Sequence, residues 1–186
     1  EHLKKLNIVG GMIDYPGCPG LTLNELILTI MELAKCDGSI ATFIQVQSAL
    51  VMQPIYDFGT EEQKKELLPK LANMDLLGAF ALTEPNHGSD IAIMETRHKK
   101  VNDGYILTGH KRWIGNAPFA DIIVVISRSI DTKEVNAFYL DRTIIRNLGI
   151  SKIEGKTSLR MVQNGDITID RVFVPDRYLL PGCHSF

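Results

Sequence analysis

The sequence predicts an α+β protein of 186 residues in which helices come first and strands follow. Before residue 78, apolar residues recur at the three- and four-residue spacing of helices. After Gly78, the apolar residues fall in short runs that end at Gly, Asn and Pro, as strands do. We therefore predict a helical domain over residues 1–77 and an all-β domain over residues 78–186.

Two capping boxes predict where helices begin. Thr22 and Glu25 form a T-x-x-E pattern, and Thr60 and Gln63 form a T-x-x-Q pattern. Helices are expected to follow at 26–34 and at 61–68, with a buried helix between them at 40–52.

Glycine and proline predict the interruptions between these helices. Gly38 is expected to end the first helix or to lie in the turn after it. Pro54 and Gly59 are expected to break the chain after the second helix, and Pro69 to kink or restart the third.

The second half predicts strands joined by turns. Asn102-Asp-Gly104 is a strong hairpin signal, and Pro175 ends the last run. The predicted strands are 79–82, 97–101, 105–108, 121–127, 135–140 and 167–174.

Composition excludes several classes of function. The net charge is −2 and the charges are interspersed, so no nucleic-acid surface is expected. No apolar run approaches a membrane span. The three cysteines do not form a C-x-x-C pair, and the histidines lack metal-ligand spacing, so we expect no disulfide framework and no metal site.

The segment Thr83–Asp90, T-E-P-N-H-G-S-D, is a polar loop with two hydroxyls. Hydroxyl and backbone N–H groups there can satisfy carbonyl and phosphate acceptors of a ligand, and Gly88 allows close backbone approach. Taken alone, a polar turn between strands is the more common reading of these residues.

The segment Arg112–Asn116, R-W-I-G-N, holds the only tryptophan of the chain. An indole at a strand end can cover one face of a flat ligand and exclude water. A lone tryptophan more often packs in a core, so this segment by itself is weak support for a binding site.

Together, five segments in order resemble the acyl-CoA dehydrogenase and oxidase superfamily. They are 58–71, 81–90, 109–116, 172–176 and 180–182. Segments 112–121 and 159–167 resemble plant peroxisomal short-chain acyl-CoA oxidases, and segments 46–50 and 54–59 resemble glutaryl-CoA dehydrogenase. The resemblance implies a helical N-terminal domain and an antiparallel β-barrel-like middle domain, as a fragment without the family's C-terminal four-helix domain.

The resemblance also implies FAD as cofactor and an acyl-CoA as substrate. Residues expected at FAD are Phe80, Leu82, Thr83, Gly88, Ser89, Trp113, Ile114 and Gly115. Residues expected at the acyl-CoA are Thr42, Phe43, Val46 and Ser89, although core packing is an equal alternative for each helical one. The family's catalytic glutamate belongs to the C-terminal domain, so no catalytic residue is expected in this chain, which alone should be inactive.

Two departures from the family refine the expected reaction. Gly115 stands where many dehydrogenases carry Thr, and Ala41 where glutaryl-CoA dehydrogenases carry Arg. We expect oxidation of a short monocarboxylic acyl-CoA to the trans-2-enoyl-CoA with O₂ as acceptor. The alternatives are a dehydrogenase that uses an electron-transfer partner, and a non-catalytic remnant or binding module. The resemblance further implies a homotetrameric parent protein in the peroxisome or, alternatively, the mitochondrial matrix.

Overall fold

The computed structural model describes residues 2–145 and 147–183, apart from the side chain of His2. Helices occupy the first part of the chain, as predicted. They are α1 (His2–Leu6), α2 (Leu23–Cys36), α3 (Gly38–Gln45), a π-helix (Val46–Met52), α4 (Gln53–Phe58) and α5 (Glu61–Ala72).

Both predicted capping boxes are confirmed. The Thr22 hydroxyl accepts the Glu25 amide, and the Thr22 amide donates to the Glu25 carboxylate at 2.8 Å. Thr60 and Gln63 exchange the same two hydrogen bonds at 3.2 and 2.8 Å. Each box satisfies amides at a helix start that have no partner within the helix.

The predicted helix breaks are wrong at Gly38 and at Pro54. Gly38 begins α3, because the Asp37 carboxylate accepts the amides of Ser39 and Ile40 and starts a new helix there. Pro54 lies in the first turn of α4, directly after the π-helix, where a missing N–H is tolerated. Pro69 lies inside α5, which continues to Ala72.

Eight strands follow within the described part of the chain. They are β1 (Gly78–Ala81), β2 (Arg97–Val101), β3 (Gly104–Gly115), β4 (Ile122–Ser129), β5 (Val135–Asp141), β6 (Leu148–Lys152), β7 (Asn164–Pro175) and β8 (Leu179–Leu180). The six predicted strands and the β2–β3 hairpin are confirmed, with Asp103 in the left-handed conformation at φ 60°. The sequence did not predict β6 and β8, which are short strands held by pairing with β7 and β5.

The strands form one mostly antiparallel sheet in the order β6-β7-β3-β2-β4-β5-β8, which confirms the α+β class. Strands β1 and β2 both run parallel to β4. They lie end to end along one edge of it: β1 pairs with Ile122–Val125, and β2 pairs with Arg128 and Ser129. The connection 82–96 therefore leaves the sheet and returns to it at the same edge.

A single hydrophobic cluster joins helices and sheet, with Met52 and Leu68 in the same cluster as Ile123. Gln47 of the π-helix reinforces this junction: its amide nitrogen donates to Leu71 and Leu76 carbonyls, and its oxygen accepts the Gly78 amide at 2.8 Å. The division of the chain between residues 77 and 78 stays a prediction. Among the described residues, no helix combines the length and apolar character that crossing a membrane requires.

A candidate cofactor cavity beside Trp113

The π-helix, the end of β1 and the end of β3 surround a cavity of about 350 Å³. This volume lies within the range of small-molecule sites. Eight of its lining residues were predicted from the sequence: Thr42, Val46, Phe80, Leu82, Thr83, Trp113, Ile114 and Gly115. Leu50, Val162 and Asn164 complete the lining.

Three predicted residues do not line this cavity. Gly88 and Ser89 lie exposed on the loop between β1 and β2. Phe43 lines a neighbouring cavity of about 190 Å³ together with Phe119 and Met161. The structure thus brings together the residues expected at a flat ring, and places the expected phosphate-binding residues farther along the loop.

Trp113 lies in a β-bulge with an unusual backbone. The pairing of β3 with β7 shifts between Lys111 and Ile114, so that one extra residue lies on the β3 side. Trp113 takes a left-handed conformation, φ 63°, which is a rare and strained choice for a bulky residue. Its side chain is 51% exposed, although large aromatic groups are usually buried. The bulge therefore presents the indole at the cavity.

Neighbouring polar groups hold this bulge. The Asn164 side-chain amide donates to the Trp113 carbonyl at 2.9 Å, and the Lys156 ammonium donates to the Asn164 Oδ1. The Arg112 guanidinium lies 5.3 Å from the indole centre and pairs with Asp166 at 3.2 Å. Asn164 thus holds the backbone of Trp113, and Arg112 lies over its indole ring.

Thr83 supplies the cavity with a hydroxyl. Its side chain makes no hydrogen bond to any other described residue, while its carbonyl accepts the Arg112 amide at 2.8 Å. The backbone of Thr83 is therefore fixed to β3 and its hydroxyl remains available to a ligand.

A buried ion pair lies beneath this segment. The Lys111 ammonium donates to the Leu82 carbonyl at 2.8 Å and to the Glu84 carboxylate at 3.0 Å. The two charged side chains are 0% and 1% exposed. Glu84 also accepts the amides of Glu95 at 2.5 Å and Thr96 at 2.8 Å.

Both members of the pair have shifted pKa values. Burial raises the pKa of Glu84, but hydrogen bonds from Thr96 and Glu95 and the charge of Lys111 outweigh burial and hold it below its usual value. Burial lowers the pKa of Lys111, and the Glu84 carboxylate opposes that shift. Each group thus stabilises the charged form of the other.

Within the described residues, Glu84, His87 and Glu95 form a cluster of possible metal ligands. The Glu84 oxygens already accept two amides and the Lys111 ammonium. A dication there would displace or face that ammonium, so the cluster does not fit a metal ion.

Gly115 leaves space in the cavity. A Cβ added there would lie 3.4 Å from a Val46 methyl and 3.8 Å from a Val162 methyl, which are ordinary contacts. Ala41, by contrast, is buried in α3 and does not line the cavity. None of the described residues that line the cavity carries a charge.

The sequence reasoning missed Leu50, Val162, Asn164 and the Lys111–Glu84 pair. Glu84 and Lys111 both lie inside the quoted motifs, next to Thr83 and Arg112. The available signal was alternation along β3, since Leu107 and Lys111 fall on its buried face. A lysine at such a position requires a buried acceptor.

Comparison with known proteins agrees with this architecture. Residues 1–75 match the family description "Acyl-CoA dehydrogenase, N-terminal domain", and residues 79–172 match "Acyl-CoA dehydrogenase, middle domain".

Individual relatives align over nearly the whole chain. The short/branched chain specific acyl-CoA dehydrogenase, mitochondrial, of Bos taurus is 35% identical over 97% of this chain and 42% of that protein. A Mycobacterium smegmatis glutaryl-CoA dehydrogenase solved in complex with FADH2 has a TM-score of 0.95 and 34% identity, over 100% of this chain and 47% of that one. Butyryl-CoA dehydrogenase from Megasphaera elsdenii has a TM-score of 0.87 and 32% identity, over 97% and 50%. The chain spans less than half the length of the curated relatives it matches.

Proposed function

Because the chain belongs to the acyl-CoA dehydrogenase family, whose cofactor is FAD, we propose that the whole protein oxidises a short-chain acyl-CoA to the trans-2-enoyl-CoA. The observation that supports this best is the convergence of eight predicted residues on one cavity. Its chemistry fits the isoalloxazine ring: the lining is mainly apolar, Thr83 offers an unpaired hydroxyl, and Trp113 offers an exposed aromatic surface.

We assign roles to these residues from their places. Thr83 hydrogen-bonds an edge of the ring, and Trp113 covers the ring from water. Thr42, Val46 and Leu50, on the helical side of the cavity, contact the acyl chain. FAD supplies the acceptor for the hydrogen lost from the β carbon, while a base takes the α proton.

The base itself is proposed to lie outside these 186 residues. No carboxylate lines the cavity among the described residues, and Glu84 is engaged by Lys111. We therefore expect the chain alone to turn over no acyl-CoA.

We propose a monocarboxylic substrate. A second carboxylate would find no cation in the cavity lining, and an unpaired buried carboxylate costs several kcal/mol. The test compares the kcat/KM values of the whole protein for butyryl-, hexanoyl- and glutaryl-CoA. Faster turnover of glutaryl-CoA would contradict the proposal.

For the electron acceptor we propose O₂, which is reduced to H₂O₂ as the enoyl-CoA forms. Gly115 supports this because it puts no side chain into the ring cavity, where an added Cβ would already contact the Val46 and Val162 methyls. The relatives' names, all dehydrogenases, favour the alternative of an electron-transfer partner. Reoxidation of the reduced whole protein by O₂ should slow at least tenfold in Gly115→Thr and less in Gly115→Ala. Equally slow reoxidation of wild type and variants would identify a dehydrogenase.

Location and assembly follow as proposals. An oxidase is expected in the peroxisome, where peroxide is consumed, and a dehydrogenase in the mitochondrial matrix, which several relatives' names favour. We propose a homotetramer for the whole protein. Fluorescence microscopy of the tagged whole protein and its mass in solution test the two statements.

Cofactor binding is tested directly by titrating the purified whole protein, freed of flavin, with FAD and recording flavin fluorescence and the visible spectrum. Trp113→Ala should weaken FAD binding at least tenfold and raise the solvent exposure of the flavin. Phe173→Ala, which removes another exposed aromatic ring outside the cavity, is the matched control. A whole wild-type protein that binds no FAD would favour the non-catalytic alternative.

A further inference from the structure

We propose that Lys111 and Glu84 are positioning residues that fix the backbone of residues 82–84 so that the Thr83 hydroxyl faces the ring of FAD. This inference rests on the proposed FAD site. It concerns residues that do not line the cavity themselves but act through the segment that does.

The segment needs such support because it lies beyond the sheet ladder. The last paired residue of β1 is Ala81, opposite Val125, and pairing along that edge resumes at Arg97. Residues 82–84 therefore have no strand neighbour on β4, although two of them, Leu82 and Thr83, line the cavity. Unpaired backbone at a site would otherwise be free to adopt several conformations.

Buried groups supply what the ladder does not. The Lys111 ammonium holds the Leu82 carbonyl at 2.8 Å, and the Arg112 amide holds the Thr83 carbonyl at 2.8 Å. The Glu84 side chain accepts two amides at the start of β2 and receives Lys111 as well. Three consecutive residues are thus each bonded to β3 or to the approach to β2.

Stability alone does not account for a pair of this kind. Replacing a buried ion pair by uncharged groups of similar size is often neutral, whereas removing one partner is strongly destabilising. A variant that removes both charges therefore separates a role in stability from a role in positioning. It can retain stability while it loses the donor to the Leu82 carbonyl.

The decisive variant is the double substitution Lys111→Met with Glu84→Gln, which removes both charges and keeps the side chains similar in size. Its matched control is Lys100→Met with Asp176→Asn, because Lys100 of β2 and Asp176, directly after β7, form an ion pair with half-exposed side chains. We expect the double variant to bind FAD at least tenfold more weakly than wild type, with shifted visible flavin maxima. The control should stay within twofold of wild type.

Equal FAD affinity and equal flavin spectra in wild type and double variant would overturn the inference and leave the FAD site in place. If the double variant does not fold, Lys111→Arg, which keeps a charge opposite Glu84 but changes the donor to the Leu82 carbonyl, is compared with Lys100→Arg on the same scale, with the same two outcomes.

A whole wild-type protein that binds no FAD would instead remove the proposed function. The positioning role is then measured without ligand, by hydrogen exchange of the Arg112 and Thr96 amides. Exchange at least tenfold faster in the double variant than in its control supports the role, and equal exchange overturns it.

Discussion

Helix α2 and strand β4 are both rich in apolar residues, yet they differ in how far the described protein covers them. No residue of α2 is buried, and Leu23, Leu28 and Met31 are each more than half exposed. Seven of the eight residues of β4 are buried. Strand β4 has neighbours along both edges, whereas α2 packs mainly on α3.

The difference shows that apolar content does not by itself decide burial. A continuous apolar run bordered by other strands is enclosed on every side, while an amphipathic helix at the surface contributes one stripe. An apolar groove of about 430 Å³ lies beside α2, lined by Ile27, Ile30 and Ile44 among others. The stability of the described protein should therefore depend on the sheet and the helices packed against it.

The largest expected loss of stability comes from truncating a buried side chain of β4. Ile123→Ala should lower the free energy of unfolding by about 2–5 kcal/mol, because Ile123 is fully buried. Leu28→Ala in α2 should cost less than about 1 kcal/mol, since its side chain is 59% exposed. Denaturant unfolding of both variants measures the contrast, and similar losses at the two sites would contradict it.

A pH dependence should also arise in the sheet. Burial lowers the pKa of His98 to about 4, and the imidazole lies between the Tyr105 and Phe138 rings with Ser127 at 2.9 Å. The unfolded chain takes up this proton below its ordinary pKa of 6.5, while the folded chain resists it down to about 4. The contribution is complete above pH 6.5 and is lost as the pH falls towards 4, by roughly 3 kcal/mol at most.

Unfolding free energies measured from pH 7 to pH 4 test this dependence. His98→Gln should flatten the curve, and His110→Gln, which changes an exposed histidine of β3, should leave it unchanged. A curve of equal slope in wild type and His98→Gln would show that the acid sensitivity has another source.

Two glycines allow the sheet to be compared with an exposed loop: Gly109 lies in β3, and Gly88 lies in the loop between β1 and β2. A Cβ at Gly109 would lie 2.6 Å from the Thr96 Cα, so Gly109→Ala must move backbone and should cost about 1–3 kcal/mol. Gly88→Ala should be nearly neutral for stability, because nothing lies within 4 Å of the added atom. Thermal unfolding distinguishes them, and comparable losses would show that the sheet relaxes around Gly109.

The smallest expected losses of stability come from removing the N-caps of α2 and α5, and they should differ between the two helices. Thr60→Ala should cost about 1 kcal/mol, because α5 is also tied to the sheet through the Gln63 amide, which donates to the Arg177 and Leu179 carbonyls. Thr22→Ala should cost less in global unfolding, because α2 has no buried residue. A larger loss for Thr22→Ala would indicate that α2 is part of the cooperative core.

Local patterns in the sequence determined the α+β class, the two capping boxes and the β2–β3 hairpin. Each of these depends on residues close together in the chain, such as Thr60 with Gln63 or Asn102 with Gly104. The residues expected at FAD and at the acyl-CoA came from motif resemblance, and the cavity brings eight of them together.

Tertiary structure decided the remaining features. The left-handed bulge at Trp113 depends on the register between β3 and β7. The burial of Lys111 depends on its ion pair with Glu84, which lies in the loop after β1. These features join residues distant in sequence, so their energies arise only once the chain is packed and no local pattern encodes them.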